Sequence, residues 1–180
     1  MNKLLILCIT SILFISACGG SNSTDLVVLT DTPNLRAFNI VDSFGVNTEF
    51  DGNIPLELSP FIDDGLFEIF WDVDNIFDGF AEDYQVNFLI NDSPQVFRSL
   101  LITSNFCGPF ERCDSFASQF CFYEDNLSMT CERPNSNDLD VTVDISELFV
   151  SIPQRLFFIL EVCDVDGFAC DTDFWPVLMN

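Results

Sequence analysis

Two side-chain types in this chain could do chemistry beyond packing: the cysteine thiol and the carboxylates. Six cysteines fall in its second half, Cys107, Cys113, Cys121, Cys131, Cys163 and Cys170, apart from Cys8 and Cys18 near the N-terminus. An even set of thiols in an exported chain argues for disulfides, because compartments outside the cytoplasm are oxidising. Six cysteines leave many connectivities open. Nearest-neighbour pairing gives Cys107–Cys113 around a loop, Cys121–Cys131 across a hairpin and Cys163–Cys170 across a turn. Each short loop closed in this way contributes about 2–3 kcal/mol. Zinc is the competing chemistry, but the chain has neither a C-x-x-C pair nor any His, and zinc sites depend on such spacings and ligands. The missing C-x-x-C also speaks against thiol redox catalysis.

The carboxylates form two dense groups. One is Asp72, Asp74, Asp78, Glu82 and Asp83; the other is Asp164, Asp166, Asp171 and Asp173. Hard oxygen ligands at this density are what Ca²⁺ requires, and Asp72, Asp74, Asp164 and Asp166 are the candidate ligands if the fold brings the groups together. No EF-hand loop is present: Ile76 stands where that loop needs an oxygen ligand, and Gly167 comes too early after Asp164. Two carboxylates can also hydrolyse glycosidic bonds. The plainer reading is that these are solvated loop acids which keep a Phe-rich β protein soluble by self-repulsion.

Composition removes whole classes of function. Without His there is no Ser-His-Asp or Cys-His catalysis, no His metal site and no histidine pH switch. The one Lys is Lys3, so lysine Schiff bases and a P-loop lysine are absent as well. Five Arg (Arg36, Arg98, Arg112, Arg133, Arg155) face 29 Asp and Glu, a net charge of −24 once Lys3 is removed with the N-terminal segment. A phosphate backbone is repelled by such a chain, which excludes nucleic acid as a partner. The reading is non-enzymatic.

The N-terminus carries an address. Lys3 is followed by an apolar run from Leu4 to Ile15, too short to span a bilayer and suited to a signal h-region. The run ends in Ile15-Ser16-Ala17-Cys18. This resembles the lipobox of bacterial lipoproteins, with Ile at the first position where Leu is commoner. The resemblance implies cleavage before Cys18 and its acylation (palmitate among the chains), with residues 1–17 as signal peptide. It also implies the outer membrane, because Gly19 and not Asp follows the Cys. Several acyl chains exceed what stable anchoring needs, each buried CH₂ contributing about 0.8 kcal/mol. Gly19-Gly20-Ser21-Asn22-Ser23-Thr24 opens a flexible tether over 18–34.

The elements that must position these groups read as strands. Phe67, Ile69, Trp71 and Val73 alternate with polar or outward residues, as do Tyr84, Val86, Phe88 and Ile90, then Leu139, Val141, Val143 and Ile145, and Leu156, Phe158, Leu160 and Val162. Weaker candidates are Phe38–Val41, Pro55–Leu58, Val96–Thr103, Phe116–Tyr123, Ser128–Glu132 and Phe174–Leu178. Turn clusters such as Asp63-Asp64-Gly65 and Asn91-Asp92-Ser93-Pro94 separate them. Many short strands with frequent turns predict an all-β sandwich or barrel as a single domain over 35–180.

The succession Gly65–Asp74, Tyr84–Ile90, Leu156–Gly167 and Cys163-Asp164-Val165-Asp166-Gly167-Phe168-Ala169-Cys170 resembles an immunoglobulin or fibronectin type III-like β-sandwich. The resemblance implies a buried Trp71 on strand B, strand C at Tyr84–Ile90, strand E at Leu139–Leu148, strand F at Leu156–Asp164 and strand G at Phe174–Leu178. It makes Cys107–Cys131 a disulfide-rich extra hairpin, and it puts the two acidic groups at one end through the B–C and F–G loops. Leu156 stands where such domains often carry an aromatic, so no tyrosine corner is expected. A jelly roll shares the same alternation. The expected core is Phe67, Ile69, Trp71, Val86, Phe88, Val143, Phe158 and Leu160. The function expected is a lipid-anchored envelope module binding a protein or glycan, with a calcium-stabilised adhesion module or a carbohydrate-binding or hydrolase module as alternatives.

Overall fold

The structure, a computed structural model, describes residues 32–42, 55–77, 80–109, 111, 113, 116–132 and 140–180. The protein is all-β. Among the described residues the strands are β1 (Asn34–Asp42), β2 (Leu56–Leu58), β3 (Leu66–Asp74), β4 (Ile76–Phe77), β5 (Phe80–Ala81), β6 (Tyr84–Asn91), β7 (Leu100–Cys107), β8 (Phe116–Tyr123), β9 (Ser128–Cys131), β10 (Val141–Asp144), β11 (Gln154–Asp164) and β12 (Cys170–Met179). One five-stranded sheet has the order β1-β3-β8-β9-β10 and the other β2-β12-β11-β6-β7, while β4 and β5 form a two-stranded ribbon. All pairings are antiparallel except β2 with β12.

The two sheets face each other across one apolar core, because strand alternation sends every second side chain inward. Phe67, Ile69, Trp71 and Val73 of β3 are buried, and so are Leu156, Phe158, Leu160 and Val162 of β11. Phe67 stacks on Phe158 across the gap, with centroids 5.2 Å apart and planes 15° apart, and Phe88 leans on Phe158 at 5.1 Å. Phe38 and Trp175 meet edge-on at 6.5 Å. Each fully buried aromatic of this kind contributes about 1.5–3 kcal/mol through burial. Trp71 is buried as expected, but its Nε1 donor has no hydrogen-bond partner.

Two expectations need correction. The strand beside β3 is not Leu139–Leu148 but Phe116–Tyr123, paired from Leu66↔Phe122 to Asp72↔Phe116. Cys107–Cys131 is therefore no simple insertion: it contains β8, the central strand of its sheet. Val141–Asp144 lies at the sheet edge as β10, and Val143 is only half-buried because no further strand covers it. Secondly, the strand expected at Val96–Thr103 runs over Leu100–Cys107. Asn91 holds the preceding residues in a turn, its buried side chain donating to the carbonyls of Gln95 (2.8 Å) and Phe97 (3.2 Å).

A bulge in β7 bears directly on function. Phe88 pairs with Thr103 and Leu89 with Leu101, leaving Ile102 as the extra residue. An extra residue shifts the alternation by one. Asn105 consequently points inward, donating to Gln119 Oε1 at 3.0 Å between the sheets, while Ser104 and Phe106 point outward with Leu101.

Candidate functional site

The three disulfides are Cys107–Cys113, Cys121–Cys131 and Cys163–Cys170, the nearest-neighbour set. Two of them join residues directly opposite in antiparallel pairs, Cys121↔Cys131 between β8 and β9 and Cys163↔Cys170 between β11 and β12. The first is fully buried; in the last, Cys170 is exposed. Cys18 and Asp78 lie outside the described residues.

The two acidic groups do share one end of the sandwich. Asn34 at the start of β1 pairs with Asp74 at the end of β3, and the Leu35 amide donates to Asp171 Oδ2 at 2.9 Å, tying that end of β1 to the start of β12. Asp164 closes β11 opposite Tyr84, the first residue of β6. The proposed calcium ligands nevertheless do not converge. Asp74 is ion-paired with Arg36. Asp164 turns back on its own loop, where Oδ1 accepts from the amides of Phe168 (2.8 Å) and Ala169 (3.2 Å). Asp72 sits on the outer face of the β1-β3-β8 sheet, and Asp166 is exposed at the turn. Among the described residues, the one group of three potential metal ligands whose donor atoms lie within 4.8 Å of one another is Glu161, Cys163 and Cys170. Its two sulfurs are spent on their disulfide.

Asp173 belongs to the same acidic end but stands on the inward side of β12, in phase with Trp175. Loss of hydration there holds its carboxyl above the usual range, opposed by the Phe174 amide and reinforced by the charge of Asp171.

A different surface emerges on the outer face of the β2-β12-β11-β6-β7 sheet. Register places Thr172, Glu161, Asn87 and Ser104 side by side on β12, β11, β6 and β7. The row on one side is Phe174, Ile159, Leu89 and Leu101; on the other are the Cys163–Cys170 disulfide, Gln85 and Phe106. The polar groups are hydrogen-bonded to one another. Asn87 Nδ2 donates to Glu161 Oε2 at 2.9 Å, and Asn87 Oδ1 accepts from Gln85 Nε2 at 3.0 Å and Ser104 Oγ at 2.8 Å. Gln85 Nε2 also donates to Ser104 Oγ at 2.8 Å. Such a network fixes each amide in one orientation. Phe174 packs edge-on against Phe157 at 6.0 Å, and the Arg155 guanidinium lies over the Phe157 ring at 5.5 Å.

The outward members of the alternation were readable in the sequence at Gln85, Asn87 and Glu161, but Ser104 and Phe106 were not, because the bulge decides their side. Comparison with known protein families, with characterised proteins and with solved structures finds no match.

Proposed function

We propose that the chain is a lipid-anchored cell-envelope module that binds a partner and does no catalysis, built on a fibronectin type III-like sandwich with additional strands. The observation that carries the binding reading is the ordered polar row on the outer sheet face, flanked by Phe174 and Leu101 on one side and Phe106 on the other, with Ile159 and Leu89 between them buried. A few fixed polar groups set among apolar contacts are the usual make-up of a recognition surface. The fold reading is supported by strand order: β3 between β1 and β8 faces β11 between β6 and β12, as strands B and F do in sandwiches of that type. In this assignment β8 takes the place of strand E, and β9–β10 is the extra hairpin, tied to β8 by the Cys121–Cys131 bond at the end of β9. The anchoring reading rests on Ile15-Ser16-Ala17-Cys18 after a short apolar run.

The test is expression of the full chain in a Gram-negative host, followed by membrane fractionation and mass spectrometry of the mature N-terminus. The expected product begins at an acylated Cys18 and sediments with outer membranes, and Cys18→Ala either blocks processing or releases soluble protein. An unmodified N-terminus at another residue overturns the anchoring.

A further inference from the structure

We propose that the outer face of β12, β11, β6 and β7 is a glycan-binding strip whose ligand is an uncharged polysaccharide lying across the strands. The proposal rests on the binding reading above and names its ligand class.

Hydrogen-bonding capacity is left unused along the strip. Asn87 Nδ2 carries two hydrogens and gives one to Glu161. Gln85 spends both amide hydrogens on Asn87 and Ser104, which leaves its carbonyl oxygen open. Glu161 receives Asn87 on Oε2 and keeps Oε1 open. One spare donor, on Asn87, thus lies between spare acceptors on Glu161 in the same row and on Gln85 in the row beside it. A hydroxyl both donates and accepts, and a row of hydroxyls is the ligand that satisfies both. Because the internal hydrogen bonds already hold the amides in place, little side-chain freedom is lost when the ligand arrives.

Charge points to the same class of ligand. The chain carries a formal −23, yet on the outer face of these four strands the only charged side chains are Arg155 and Glu161, one of each sign. This balanced patch on an acidic protein suits an uncharged ligand. A phosphorylated or uronic-acid polymer would meet Glu161 directly and the general negative field beyond it.

Exposed phenyl rings border the polar row. Phe174 and Phe106 are 40% and 52% exposed and flank the polar row on opposite sides at opposite ends. Their strands are three inter-strand steps apart, about 14 Å. A sugar ring has apolar C–H faces and a polar rim, so it can lay a face on a phenyl ring while its hydroxyls reach the amides. An extended chain of sugars can touch both rings and the row between them.

The experiment is native gel retardation of the detergent-solubilised mature lipoprotein in gels containing galactomannan, a mixed-linkage β-glucan, dextran or polygalacturonate. Retardation by at least one of the three neutral polymers, with none by polygalacturonate, is expected. Asn87→Ala and Phe174→Ala should each weaken it about tenfold, equivalent to one or two lost contacts, with the melting temperature almost unchanged because both side chains lie outside the core. No retardation by any neutral polymer, or retardation that survives both substitutions, overturns the proposal. Cross-linking in intact envelopes separates the two readings. A protein captured by the wild type and lost with Asn87→Ala overturns the glycan ligand but keeps the binding module. Capture of nothing, together with no retardation, removes both.

Discussion

Opening the three disulfides measures how much of the stability comes from chain restriction and how much from the core. The loops they close have sequence separations of 6, 10 and 7. Loss of unfolded-state entropy gives about 2.4, 2.8 and 2.5 kcal/mol respectively. The loops neither nest nor overlap, so the contributions add to about 7–8 kcal/mol. A single domain is stable by only about 5–15 kcal/mol in all. Full reduction with alkylation should therefore remove at least half of the stability and lower the melting temperature by about 20 °C, or leave the chain unfolded. The assay is urea and thermal unfolding of the oxidised and the reduced, alkylated protein, with double-alanine variants of each pair. Access adds an order of events: Cys170 is exposed, whereas Cys121 and Cys131 are fully buried. Mild reductant should open Cys163–Cys170 first and reach Cys121–Cys131 only on global unfolding. A melting temperature within about 5 °C of the oxidised protein after full reduction would refute the entropic reasoning, and labelling of Cys121 before Cys170 would refute the order.

Replacing Phe67 and Phe158 by Leu, singly and together, should show a coupling of about 0.5–1.5 kcal/mol in urea unfolding, the value of an aromatic pair beyond its burial; additive effects would mean that the rings do not meet. Gly65 has φ +70° and a Cβ there would run into the Tyr123 carbonyl oxygen, so Gly65→Ala should cost about 2–4 kcal/mol in the same assay, and a neutral outcome would contradict that close approach. For Asp173, exposed at the start of β12 yet partly desolvated, the folded-state pKa is raised above the unfolded value. The stabilising effect of its proton is full below the unfolded pKa and lost as pH rises through the folded one. Asp173→Asn should accordingly raise the melting temperature at pH 7, relative to wild type, and change it little near pH 3; equal melting at both pH values would show that the carboxyl is not strained by desolvation.

How much of this was legible depended on which forces decide each element. The inward faces of β3, β6 and β11 were readable because both sheets bury one face, so period-two alternation carries strong energetic meaning at Phe67, Phe88 and Phe158. The disulfide pairs were readable because antiparallel neighbours joined by short turns put Cys121 opposite Cys131 and Cys163 opposite Cys170. Strand order was not readable. Phe116–Tyr123 and Leu139–Leu148 are both apolar alternating runs, and the choice of which lies beside β3 is a long-range pairing that local pattern does not encode. The bulge at Ile102 was hidden for a related reason: an extra residue reverses the sides of Ser104, Asn105 and Phe106, and only the partner strand reveals it. Hydrogen bonding and ion pairing keep the expected calcium ligands apart. Density of Asp in the sequence does not say that Asp164 will bind its own turn or that Asp74 will pair with Arg36.

The placement of charge explains why a sandwich with so many phenylalanines can leave one face with few charges. Strand edges and apolar faces are the routes by which β proteins associate. Here β1 ends in Asp42, β10 ends in Asp144 with Asp140 just before it, and the joined ends of β11 and β12 with their turn carry Asp164, Asp166, Asp171 and Asp173. Carboxylates at the rims and ends keep second copies away by repulsion that extends about 8 Å at physiological salt. Repulsion at that range acts before faces can meet, so the outer face of β6, β7, β11 and β12 does not need charges of its own to stay soluble. It is free to carry amides, hydroxyls and phenyl rings, with Glu161 as the single acid of its polar row. High salt should then promote self-association through this face, and Leu101 and Phe106 on its outermost strand would be the first apolar side chains involved.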